Sequence, residues 1–143
     1  MKILKTKKVN LAICWNGLRN VPPKDFPTVD EMDRTVEILN GLEHMIPEFV
    51  KIFRDGEQLN IETQSGKIDP KKVGERRATY QKESGEIESK EGKVEVEIEF
   101  EDSVFNTFFQ QTERWAKNWF MKLEPYLEFR KDINKTNAQP KGK

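Results

Sequence analysis

The chain has 143 residues, 35% of them hydrophobic and 35% charged, so it can fill one lean core under a very charged surface; a second domain is not expected. Its 25 basic and 25 acidic side chains cancel, which removes any global attraction to nucleic acid or an anionic membrane. One cysteine, Cys14, excludes an internal disulfide and fits a reducing, cytoplasmic setting, and a single histidine, His44, excludes sites that need two imidazoles.

Residues 2–9 read as a short strand around Ile3 and Leu4. From Asn10 a short helix is favoured, because Leu11, Cys14, Trp15 and Leu18 recur at helical spacing; a strand through Val9, Leu11 and Ile13 competes. The run Val21-Pro22-Pro23-Lys24-Asp25-Phe26-Pro27 is a rigid connector. Thr28, with Glu31 three residues on, has the spacing of a capping box. Met32, Val36, Leu39, Leu42 and Ile46 continue that helix, Pro47 kinks or restarts it, and Asp55-Gly56 reads as its stop.

Residues 56–92 are polar, with scattered apolar points. They are expected to be a partly mobile excursion, helical in part over 71–82, or a hairpin arm ending at Lys90-Glu91-Gly92-Lys93. Val94 to Glu101 alternates without a break. Val94, Val96, Ile98 and Phe100 face one way and Glu95, Glu97, Glu99 and Glu101 the other, which describes a half-buried strand with an acidic outer face. Lysines of the N-terminal strand (Lys2, Lys5, Lys7 or Lys8) are the expected counter-charges.

Nine of the fourteen aromatic residues lie between Phe100 and Phe129. On a helix capped by Asp102 or Ser103, Phe105, Phe108, Phe109, Thr112, Trp115, Ala116, Trp119, Phe120 and Leu123 share one broad face. Most of that face should be core. Its border, Phe108, Trp115, Trp119 and Tyr126, is the candidate partner-binding surface, since exposed Trp and Tyr make good interface anchors. Pro125 interrupts the helix, and from Asn134 onward the composition predicts a disordered basic tail.

Little here points to chemistry. Glu88-Ser89-Lys90 and Glu91-Gly92-Lys93 match half of a metal-dependent nuclease pattern, but the preceding acidic ligand is not identifiable. A row of carboxylates on one strand does not converge on a cation. A Cys14–His44 nucleophile and base is weaker than a buried structural cysteine beside a helix-end histidine. The glycines form no phosphate loop, and no run is long enough to span a membrane.

The resulting expectation is an α+β domain over residues 1–133. Its small antiparallel sheet is covered on one face by two Pro-interrupted amphipathic helices, with a tail over 134–143. No catalytic, cofactor or metal residue is assigned. The expected role is a non-enzymatic accessory, adaptor or assembly subunit that binds a protein or a second copy of itself. Its surfaces are Phe108, Trp115, Trp119 and Tyr126, and the acidic face Glu95, Glu97, Glu99 and Glu101. A nucleic-acid role through Arg114, Lys117, Lys122, Arg130 and Lys131 is the alternative, weakened because these cations lie opposite the aromatics. The layout also resembles that of small phage proteins of unknown function, without a shared motif, and a phage-encoded accessory protein of unknown role is the third expectation.

Overall fold

The computed structural model describes residues 1–119 and 124–140, and of residues 115–119 and 124–126 the backbone alone. The architecture is α+β: six α-helices and a two-stranded antiparallel sheet among the described residues. The order is β1 (Lys2–Lys7), α1 (Lys8–Arg19), α2 (Val29–Glu43), α3 (Pro47–Gln64), α4 (Pro70–Glu91), β2 (Glu95–Phe100), α5 (Asp102–Trp119) and α6 (Glu124–Asn137). A single 3-10 turn, Pro23–Asp25, occupies the rigid connector.

The two strands lie far apart in sequence and pair antiparallel. β1 pairs with β2 in one register, Lys2 opposite Phe100, Leu4 opposite Ile98 and Thr6 opposite Val96. Those pairs face inward. Leu4 and Phe100 join Leu11, Trp15, Leu42, Ile46, Phe49, Phe105, Phe108, Phe129 and Ile133 in one hydrophobic cluster. Phe100 stacks on Phe108 at 5.2 Å, and Phe129 of α6 meets Phe108 edge-on at 6.4 Å.

Local signals explain most boundaries. The Thr28 hydroxyl accepts from the Glu31 amide at 3.1 Å and so caps α2. Pro47 opens α3 at the first helical position, where a missing N–H costs nothing. The Asp69 carboxylate accepts from the Lys71 amide at 3.1 Å ahead of Pro70, which starts α4.

Three expectations need correction. Asp55-Gly56 does not stop α3, which runs two turns further, to Gln64. Gly56 serves packing: a Cβ there would lie 2.6 Å from the Tyr80 hydroxyl, so the missing side chain lets Tyr80 of α4 seat against α3. Residues 70–91 form one long helix and not a hairpin arm, and the strand that follows pairs with the N-terminus of the chain. Residues 134–137 belong to α6, and Gln139 beyond it docks on β1, so the tail is held at least that far.

That docking depends on Lys2. Its side chain is buried, and its ammonium donates to the carbonyl of Asn137 at 2.9 Å and to that of Gln139. A cation thus sits at the negative end of α6 and satisfies carbonyls that the helix leaves over. No helix among the described residues is long and apolar enough to cross a membrane.

Candidate functional site

The sequence-based candidates separate. Phe108 is 0% exposed, enclosed by Phe100, Phe105 and Phe129, so it is a core residue and not part of an open border. The reason is α6: it folds back so that Phe129 and Ile133 cover the edge of the aromatic face. The side chains of Trp115, Trp119 and Tyr126 lie outside the described residues. The polar arc of α5 is also less open than its wheel suggests. Thr107 and Gln111 are buried, and Gln111 donates to Glu31 of α2 at 3.1 Å.

The acidic face is where the alternation puts it. Glu95, Glu97, Glu99 and Glu101 are all exposed. Of the four lysines expected as counter-charges, one meets the expectation and three bind elsewhere. Lys5 alone reaches across the strands, 3.5 Å from Glu97. Lys2 is buried against α6, Lys7 binds Glu128 at 2.9 Å, and Lys8 lies between Glu48 at 2.7 Å and Glu91 at 3.0 Å. Among the described residues, Glu95 and Glu99 have no ion pair within 4 Å.

The main chain of β2 adds a feature that side chains do not disclose. The Lys8 amide donates to the Val94 carbonyl at 2.9 Å, one step beyond the strand pairing and in the same register. In an antiparallel pair, bonded and non-bonded positions alternate. Val96, Ile98 and Phe100 therefore face β1 with their amides and carbonyls, and Val94 with its carbonyl alone, its amide donating to the Glu91 carbonyl at 3.1 Å. Those of Glu95, Glu97 and Glu99 point away from it. β1 confirms this parity, because Ile3, opposite Glu99, has its N–H and C=O engaged from the far side by the Gln139 amide, at 2.9 and 2.7 Å.

The two edges of this sheet are thus treated differently. α6 runs along the outer edge of β1, and Gln139 there imitates a strand's peptide group. Among the described residues, no element but β1 runs along β2, and no backbone bond reaches the outward groups of Glu95, Glu97 or Glu99. On the inner side of the same edge, Val96 and Ile98 are half-buried and Val94 is 41% exposed. The edge therefore offers unpaired main-chain donors and acceptors, an incompletely covered apolar strip on one side and a carboxylate row on the other.

A second feature is a cleft of ≈ 370 Å³ between the end of α1, α3 and α4, lined by Asn16, Arg19, Phe53, Glu57, Arg77 and Tyr80 among others. Arg19 is held there by Glu57 and lies over the Trp15 ring at 4.6 Å. Burial, and after it the Asp55 charge, pushes the Tyr80 phenol up, which works against its use as a base. Cys14 is fully buried, and desolvation raises its thiol well above the usual range, so it is a core residue and not a thiolate nucleophile. Among the described residues, no group of three or more His, Cys, Asp or Glu side chains is placed to hold a metal ion. The basic face of α5 and α6 is partly neutralised internally: Arg114 binds Glu31 at 3.1 Å, and Arg130 binds Glu113 at 2.6 Å while covering the Phe109 ring.

The chain matches no known protein family, curated protein or solved structure.

Proposed function

We propose that the protein is a non-enzymatic accessory subunit that holds another protein chain on the free edge of β2. The observation that carries this reading is the contrast between the two sheet edges among the described residues: one sealed by α6 and Gln139, the other open along Glu95, Glu97 and Glu99. An uncovered edge is a template for strand addition, with main-chain bonds giving affinity and flanking side chains giving selectivity. The half-exposed Val94, Val96 and Ile98 add apolar area that an incoming strand would cover. The nucleic-acid alternative is less well supported, since Arg114 and Arg130 are already tied to carboxylates of this chain.

The test is a blocked edge. The Glu97 amide points outward, so Glu97→Pro removes a donor from the free edge without breaking the ladder to β1. The tagged wild-type chain, exposed to an extract of its own cells, should retain a protein that the equally folded Glu97→Pro variant does not. Equal retention by both would move the binding surface elsewhere.

A further inference from the structure

The open edge selects its occupant by charge and by side-chain alternation. We infer that the strand it takes is an extended basic segment, with Lys or Arg at every second position and β-branched or other apolar residues between. This rests on the reading of β2 as a binding edge and adds the chemistry of the partner.

The argument starts from what an added strand would meet. On the outer face its side chains stand beside Glu95, Glu97 and Glu99. Among the described residues only Glu97 is ion-paired, with Lys5 at 3.5 Å, while Lys7 faces Glu95 across the strands but binds Glu128. Glu97 remains mostly exposed even so, at 64%. Opposite charges in directly facing positions stabilise a strand pair, and like charges there destabilise it. On the inner face the added side chains stand beside Val96 and Ile98, which rewards apolar residues. Part of β1 already has this pattern, from Leu4 to Lys7, whereas Lys2 lies on the inner face and Ile3 on the outer. β1, Lys-Ile-Leu-Lys-Thr-Lys, puts Leu4 and Thr6 inward opposite Ile98 and Val96, and Lys5 and Lys7 outward opposite Glu97 and Glu95.

A second copy of this chain does not fit. Two β2 edges meeting about a two-fold axis would set the row Glu95, Glu97 and Glu99 against its own image, carboxylate facing carboxylate. The Glu row thus discourages self-pairing along an edge that is otherwise free to pair.

Three capped eight-residue peptides, alternating Lys–Val, Thr–Val and Glu–Val, discriminate these possibilities when titrated into the isotope-labelled whole protein. A block peptide with the Lys residues and the Val residues separated controls for unspecific charge. The Lys–Val peptide should shift the amides of Glu95, Glu97 and Glu99 and slow their exchange. It should bind about tenfold more tightly than Thr–Val, and Glu–Val should bind weakest. The advantage over Thr–Val should shrink with added salt and disappear in the double variant Glu95→Gln/Glu99→Gln, neither residue being ion-paired among the described residues. If Thr–Val binds the edge as tightly as Lys–Val, the basic specificity is wrong while the edge reading stands. If the block peptide binds as well as the alternating one, strand recognition is wrong. If no peptide perturbs the edge amides, the edge reading fails together with the inference.

Discussion

Phe108 offers the sharpest check on the packing, because the sequence alone puts it on a candidate binding border and the fold puts it at 0% exposure. Burying an aromatic side chain removes roughly 150–250 Å² from water. At about 25 cal/mol/Å² that is worth about 4–6 kcal/mol gross. In Phe108→Ala the alanine keeps part of this, but the rings of Phe100, Phe105 and Phe129 surround the space left behind. The net loss should be about 3–5 kcal/mol, a large share of the roughly 5–15 kcal/mol available to a domain of this kind. Urea unfolding followed by circular dichroism reads it as a lower midpoint at unchanged slope. Leu127→Ala, on α6 at 62% exposure, is the matched control and should cost less than about 0.5 kcal/mol. A Phe108→Ala loss below about 1 kcal/mol would refute the enclosure of Phe108 by α6.

Two further outcomes concern the charges that tie distant parts of the chain together. The Lys8 ammonium donates hydrogen bonds to the Glu48 and Glu91 carboxylates, which raise its pKa against a smaller opposing effect of burial. Burial pushes the Glu48 carboxyl up, but the Lys8 hydrogen bond, a local backbone bond and the Lys8 charge outweigh it, and the net shift is downward. A lowered carboxyl contributes stability above its unfolded pKa and loses it as pH falls through the folded value; a raised ammonium keeps its contribution until pH rises past 10.5. Lys8→Met should therefore cost about 1 kcal/mol at pH 7 and lose less stability than wild type between pH 5 and pH 3 in pH-stepped urea melts, since its Glu48 lacks the partner (about one pair's worth). A parallel pH dependence in both proteins would contradict the pairing. Lys2→Met should cost about 1.5–3 kcal/mol, because charged hydrogen bonds to two carbonyls are lost at a buried site. Hydrogen exchange should accelerate in the last turn of α6 in this variant; unchanged rates there would show that Lys2 does not hold the helix end.

The legible parts were those where periodicity and capping agreed. The alternation of Val94 to Glu101 identifies β2, and Thr28 with Glu31 locates the start of α2. The seam of α4 was harder to read. Val73, Tyr80 and Ile87 are spaced by seven, one apolar residue every two turns, and all three are half-buried. Such a narrow stripe looks like isolated points in a window tuned to broad amphipathic faces. Gly56 misled for a related reason: its role is to admit Tyr80, and nothing nearby in sequence announces a residue 24 positions away. The placement of Phe108 depends on Phe129 and Ile133 arriving from the other side of Pro125, which a single helical wheel does not contain. The carboxylates of the candidate site were readable from the alternation. The open edge was not, because it is made of main-chain groups whose direction is set by pairing parity with β1 and by what Gln139 does on the opposite side.

Amide hydrogen exchange along β2 in the isolated protein tests the open edge most directly. Val96, Ile98 and Phe100 donate toward β1 and should be protected, whereas Glu95, Glu97 and Glu99 point outward and should exchange close to the rate of an unstructured peptide. That two-residue alternation is the predicted result. Uniform protection across all six amides would mean that the edge is already covered in the free protein, and the account of it as a binding site for another chain would be wrong.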